Sequence, residues 1–161
     1  MDSVQYLLSI ETRGIKLGLQ RTRELMAACG NPQSGLPSIQ VAGTNGKGSV
    51  CAMLANIFKT AGYKTGLFTS PHLVNVNERI RLNGIPIPNN EIDIFLQKYR
   101  EAIEKIEATF FETITAMAFW YFKNENVDIA ILETGLGGRL DSVSVCEPLA
   151  TIMTSISLDH I

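Results

Sequence analysis

Short uninterrupted apolar runs alternate along this chain with longer stretches whose apolar residues recur every three or four positions. Residues 3–12 and 21–29 read as short helices, the second stopped by Gly30 ahead of the turn-rich "GNPQSGLPS". "SIQVA" (38–42) is then a short strand that runs straight into a glycine loop. From Gly48 to Ala61 the apolar residues Val50, Met53, Leu54, Ile57, Phe58 and Ala61 form a helical stripe, which Gly62 ends. "TGLFTS" (65–70) is a second strand stopped by Pro71, and "ERIRLNGIPI" (78–87) alternates around an Asn-Gly pair, a hairpin signal. A helix opening near Asn89 or Asn90 carries Ile92, Phe95, Leu96, Tyr99, Ile103 and Ile106 on one face, while residues 110–122 are apolar nearly all round. "VDIAIL" (127–132) and "LATIMT" (149–154) read as strands of a parallel sheet covered on both faces. Strands separated by helices predict an α/β fold, a doubly wound, mainly parallel sheet with right-handed crossovers. The last strand leads into "SISLDHI", where the chain stops. The sheet edge left there is the first sign of an incomplete domain.

Composition narrows the function. A chain of 161 residues that is 45% hydrophobic can bury one good core. Net charge is −2 and no Lys/Arg run appears, so neither nucleic acid nor an anionic membrane surface is an expected partner. The N-terminus lacks a signal peptide's basic start and apolar run, and no stretch approaches the ~20 apolar residues of a spanning helix; a cytoplasmic location is expected. Cys29, Cys51 and Cys146 match neither a CxxC pair nor a zinc spacing, and read as small core residues in a reducing compartment. No internal repeat is visible.

Chemistry concentrates at the predicted strand ends. In "GTNGKGS" the glycines Gly43, Gly46 and Gly48, with Thr44 and Asn45, let the backbone approach a ligand and turn N–H groups inward. The following helix adds its positive end, Lys47 a mobile cation, and Ser49 a hydroxyl for Mg²⁺. The spacing is not the usual phosphate-loop pattern: with Lys47 aligned on the usual lysine, the leading glycine falls on Val41 and the hydroxyl on Gly48. An ordinary glycine-rich turn is the plain alternative. Glu133 lies just beyond a buried strand, at the edge where α/β sheets hold ligands, and can hold Mg²⁺ directly or through water. Ser70, in "TSPHL", and His160, in "SLDHI", follow other strands onto the same edge. Alone, each reads as a turn or structural residue; their convergence is the argument.

Together these stretches resemble the dihydrofolate synthase/folylpolyglutamate synthase family of the Mur ligase superfamily. The similar segments are "GIKLGLQR" (14–21), "GNPQ" (30–33), "VAGTNGKGS" (41–49), "SPHL" (70–73), "ERIRLNG" (78–84), "FFETITAMAF" (110–119), "ETGLGGRLD" (133–141) and "TSISLDH" (154–160). The family uses this shorter loop. The resemblance implies an ATP-dependent ligase that phosphorylates a carboxylate of dihydropteroate or a folate, the acyl phosphate then being attacked by the amino group of L-glutamate. It implies that Gly46, Lys47, Gly48 and Ser49 hold the ATP phosphates, Ser70 and Glu133 a first Mg²⁺ and His160 a second. Lys47 and Glu133 are the expected catalytic residues, and Thr109, Phe111 and Asp141 the expected lining of the pterin or pteroate site. A monomer with small-molecule partners is expected.

Five positions depart from the family's pattern. Thr134 stands where Val is common, "SVS" (142–144) where Ala-Thr-Asn is common, and Gln40 where His is frequent. Family members also continue well past residue 161, through a carbon dioxide-modified lysine, adenine and ribose contacts and a C-terminal domain. Residues 1–161 are therefore expected to be the N-terminal portion of the ATP-binding domain, without the glutamate-ligase domain and with little or no turnover alone. The rival expectations are a sister Mur-type ligase acting on a cell-wall nucleotide and a nucleotide-binding module without catalysis.

Overall fold

A computed structural model of the chain describes residues 2–157. The chain runs through α1 (Ser3–Ser9), α2 (Gln20–Ala28), β1 (Ser38–Ala42), α3 (Lys47–Thr60), β2 (Thr65–Phe68), β3 (Ile80–Leu82), β4 (Ile85–Pro86), α4 (Asn89–Ile106), α5 (Phe110–Asn124), β5 (Ile129–Glu133) and β6 (Ala150–Met153). Three short 3₁₀ turns, Ile10–Arg13, Val76–Arg79 and Ser142–Val145, fill the connections. The six strands form one sheet in the order β4-β3-β2-β5-β1-β6. β2, β5, β1 and β6 are parallel, and the β3-β4 hairpin is attached antiparallel to β2. The hairpin turns at Asn83 and Gly84, both left-handed at φ 50° and 85°, as an Asn-Gly pair permits.

Alternation along the strands divides the core between the two faces. Val41, Ile129 and Ile131 point to the α3 side and pack with Cys51, with Val50, Leu54 and Phe58 partly buried against them. Phe68, Ala130 and Leu132 point the other way, into a larger core built with α1, α2, α4 and α5. The innermost helix is α5: 12 of its 15 residues are buried, which is why its sequence shows no polar face. Its Phe122 ring lies where a Cβ on Gly66 would sit, 2.8 Å away, so β2 needs glycine there.

Several boundaries differ from the pattern. The first helix ends at Ser9 and continues only as a 3₁₀ turn, and β2 stops at Phe68. On α3, Met53 (58%) and Ile57 (61%) are exposed, because the helix lies over β2 and β5 and turns that flank away from them. β6 is apolar but not covered on both faces: Leu149 is 73% and Met153 57% exposed. It pairs only with β1 and forms the edge of the described sheet. No helix among the described residues is long and apolar enough to cross a membrane.

Candidate functional site

The order β2-β5-β1 makes three strand ends neighbours. β1 leads into Gly43, β5 ends on Glu133, and β2 leads into Thr69 and Ser70. Registers Val41↔Glu133 and Phe68↔Leu132 align these ends, so Glu133 has the glycine loop on one side and Ser70 on the other.

The glycine loop is built against the chain beyond β6. Gly43 has φ 134°, and a Cβ there would lie 2.0 Å from Thr154 Oγ1, so only glycine fits. The Thr44 N–H donates to the Ser155 carbonyl at 2.7 Å, and its hydroxyl donates to the Ser157 carbonyl at 3.1 Å. Gly46, at φ 84°, is the N-cap of α3 and offers no capping side chain. The first-turn N–H groups of α3, from Lys47, Gly48 and Ser49, therefore lack a helical or capping partner, the arrangement that favours an anion. Lys47 Nζ donates to the Gly43 carbonyl (2.9 Å) and the Thr44 carbonyl (3.3 Å). Asn45 and Ser49 are exposed.

Glu133 is 5% exposed. Its Oε2 accepts from the Ser70 backbone N–H at 3.1 Å. A Cβ on Gly48 would lie 3.9 Å from both carboxylate oxygens, so the bare Gly48 leaves a gap between the carboxylate and the first turn of α3. Burial pushes the Glu133 carboxyl above its usual range; the Ser70 N–H and Lys47 pull it back. A divalent cation would also favour the charged form, and the one carboxylate of Glu133, with the hydroxyls of Ser49 and Ser70, is an all-oxygen set of the kind Mg²⁺ takes, one or two carboxylates completed by water and phosphate. Among the described residues there is no cluster of three or more His, Cys, Asp or Glu side chains. The expected second-metal residue, His160, lies outside the described residues.

Of the three expected substrate residues, Phe111 and Asp141 meet at Gly135 of the second glycine-rich turn, and Thr109 precedes Phe111 at the start of α5. Thr109 is buried and caps α5: its Oγ1 accepts from the Glu112 N–H, and Glu112 Oε2 accepts from the Thr109 N–H at 2.7 Å. Glu112, 2% exposed, is also paired with Arg21 at 3.0 Å. The half-buried Phe111 ring lies 2.7 Å from where a Cβ on Gly135 would be, so Gly135 admits the ring. Asp141 is 6% exposed and filled by backbone donors: Oδ2 accepts from Gly135 and Leu136 (2.8 and 2.9 Å) and Oδ1 from Val143 (3.0 Å). Burial raises its carboxyl against those bonds. Phe111 is half-buried, its ring tilted 5.9 Å from that of Phe68, whereas Asp141 is engaged in shaping the turn.

The departures noted in the sequence prove to be joined. Gln40 Nε2 donates to the Ser144 hydroxyl at 2.7 Å, and that hydroxyl donates to the Gly138 carbonyl. The Thr134 hydroxyl donates to the Gly137 carbonyl at 2.9 Å. Ser142 accepts from the buried Thr22 hydroxyl at 3.1 Å. Gln40, Ser144 and Thr134 therefore hold the glycine-rich turn, while Ser142 ties the segment after it to α2.

Between the two glycine loops lies a cleft of 410 Å³, lined on one side by Gly43, Thr44 and Lys47, on another by Gly135 to Arg139, and elsewhere by Met153, Ile156 and Ser157. Arg139, Met153 and Ile156 were not among the candidate residues read from the sequence; the pairing of β1 with β5 brings the turn that carries Arg139 to Lys47, and the pairing of β1 with β6 brings Met153 and Ile156. A second missed group is Arg79, 8% exposed, which stacks 4.9 Å over Phe110 and donates Nε–H to His72 Nδ1 at 2.8 Å. Beside it, Glu78 accepts from the N–H groups of Leu73, Val74 and Asn75, so the pair Glu78-Arg79 ties down the loop that follows Ser70.

The chain is similar to known proteins over nearly its whole length. Residues 41–161 match the family described as the Mur ligase middle domain. The chain is 46% identical over 154 residues to a Bacillus subtilis dihydrofolate synthase/folylpolyglutamate synthase, covering 91% of this chain and 36% of the relative. It resembles a solved Escherichia coli structure, FolC in complex with DHPP and ADP, with a TM-score of 0.92 and 38% identity over 99% of this chain and 39% of that one. A Mycobacterium tuberculosis folylpolyglutamate synthase complexed with ADP gives 0.89 and 35%, over 99% of this chain and 39% of that one. The chain spans between 20% and 39% of the length of eight curated relatives it matches. With three quarters of its residues matched, the chain belongs to the Mur ligase middle-domain family.

Proposed function

We propose that this chain supplies the N-terminal portion of the ATP-binding domain of a ligase that joins L-glutamate to dihydropteroate or a folyl(poly)glutamate through an acyl phosphate. The observation that carries the reading is the approach of a buried carboxylate, Glu133, to a helix N-terminus that has its own lysine but no capping side chain. A carboxylate aimed at an anion site is repulsive unless cations join them, and nucleotide phosphates with Mg²⁺ meet that condition. The relatives' complexes with ADP and DHPP support the same assignment.

In this reading the first-turn N–H groups of α3 and the Gly43–Ser49 loop bind the phosphates. Lys47 leaves the Gly43 and Thr44 carbonyls to neutralise charge on them. Ser49, Ser70 and Glu133 would hold Mg²⁺, which when bound supplies charge neutralisation at the phosphoryl oxygens. Phe111 offers its ring face to the pterin, and Thr109 and Asp141 fix the walls around it. The main contribution of these residues is positioning the acceptor carboxylate against the terminal phosphoryl group and excluding water. Substrates of this kind are small and water-soluble, so a cytoplasmic monomer without nucleic-acid or membrane partners belongs to the same reading.

Saturation-transfer NMR of the chain with Mg-ADP tests it. Transfer to the ring protons of 7,8-dihydropteroate is expected, weakened by Phe111→Ser, with none to a UDP-muramoyl peptide. Binding of the muramoyl nucleotide, or of neither ligand at millimolar concentration, overturns the folate assignment.

A further inference from the structure

The wall of the cleft opposite Lys47 carries a cation of its own. Arg139 lies on the turn Gly135 to Leu140, is exposed, lines the cleft, and forms no ion pair among the described residues. Among the described residues, Lys47 and Arg139 are the charged residues lining the cleft, and none lining it is a carboxylate. Two cations on separate walls suit an extended chain of anionic groups better than a single one.

The turn that presents Arg139 is held at many points. Asp141 accepts from Gly135 and Leu136, Thr134 donates to the Gly137 carbonyl, and the Gln40–Ser144 relay ends on the Gly138 carbonyl. Every residue from Gly135 to Gly138 is thus fixed by a side chain from outside the turn. An arginine on so constrained a backbone loses less freedom when it binds, and its planar fork matches phosphate oxygens in pairs.

We propose that Arg139 is a binding residue for the terminal phosphoryl group of the nucleotide, in addition to the phosphate contacts of Lys47 and the α3 N-terminus. This rests on the nucleotide reading given above, and extends it by adding a second cation to the phosphate site. An arginine that merely solvates the turn would show no preference between nucleotides of different length.

The test is calorimetric titration of the chain with Mg-AMPPCP and with Mg-ADP. Arg139→Ala is expected to weaken AMPPCP about tenfold, the value of one charge-assisted pair, and to leave ADP within about twofold. Arg139→Lys, which keeps the charge and loses the fork, should fall between. Because the side chain is exposed, an unchanged thermal midpoint checks that the fold is intact. Equal weakening of both nucleotides by Arg139→Ala, or of neither, overturns the assignment. If the unaltered chain binds neither nucleotide, the nucleotide reading itself fails and Arg139 falls with it.

Discussion

Gly43→Ala is the sharpest single test of how the phosphate loop is built. Two costs add at this residue. At φ 134° an L side chain is strained, a backbone cost of about 1–3 kcal/mol. The new methyl would also lie 2.0 Å from Thr154 Oγ1 and 3.1 Å from the Ser155 carbonyl oxygen. Rotating Thr154 relieves the first contact at the expense of its bond to the Ala42 carbonyl, but the second contact is backbone and stays. Overpacking of this kind costs about 1–3 kcal/mol, so the total is about 2–6 kcal/mol, a large share of the 5–15 kcal/mol that holds a typical domain together. Urea unfolding at 25 °C reads it as a fall in midpoint with unchanged slope. The double variant Gly43→Ala/Thr154→Ala should regain only the part due to the hydroxyl, because the backbone strain remains. A Gly43→Ala chain within about 0.5 kcal/mol of the parent, or full recovery in the double variant, would refute the reasoning.

Two further outcomes are expected. Tyr6 and Arg13 both donate to Glu104, tying α1 to α4 and holding the Glu104 carboxyl below its usual range. A lowered folded value means stability present above the unfolded value and lost as pH falls through the folded one. Glu104→Gln should therefore cost up to about 1 kcal/mol at pH 7, a modest figure because the pair is half exposed, and the gap from the parent in pH-dependent melting should close in acid. Arginine has no acceptor, so the bond from Arg79 Nε to His72 Nδ1 leaves the imidazole proton on Nε2. Long-range ¹⁵N–¹H correlation at pH 7.5 should show that tautomer for one of the chain's two histidines, and Arg79→Met should release it.

What could be read from the sequence was local. "SIQVA" has the bounds of β1, and the stripe from Val50 to Phe58 correctly gave α3, because both follow from spacing along one segment. "LATIMT" misled because apolar character marks a strand without saying how many neighbours will cover it; β6 pairs on one side and leaves Leu149 and Met153 exposed. At the site, Lys47, Ser70 and Glu133 were legible from strand-end position, and the topology does bring them to one edge. The relay from Gln40 through Ser144 to Gly138 was not legible: its ends are about a hundred residues apart, and each residue alone looked like a loss from the pattern. Arg139 was hidden for the same reason, since its partner wall is formed by a glycine loop near the other end of the sequence. Asp141 was legible as important, but its three backbone donors assign it to holding the turn, a role that spacing does not reveal.

The central claim is that the edge formed by β2, β5 and β1 binds nucleotide phosphates, and amide-resolved NMR titration with Mg-ADP addresses it most directly. Shifts are expected at Gly43 to Val50, Thr69 to Ser70 and Glu133 to Arg139, with Lys59, Arg81 and Gly84 at the far end of α3 and the hairpin unaffected. Lys47→Ala should weaken the response by about tenfold or more, as loss of a charge-assisted contact requires. Shifts centred on Lys59 and Arg81, or a response indifferent to Lys47→Ala, would contradict the account.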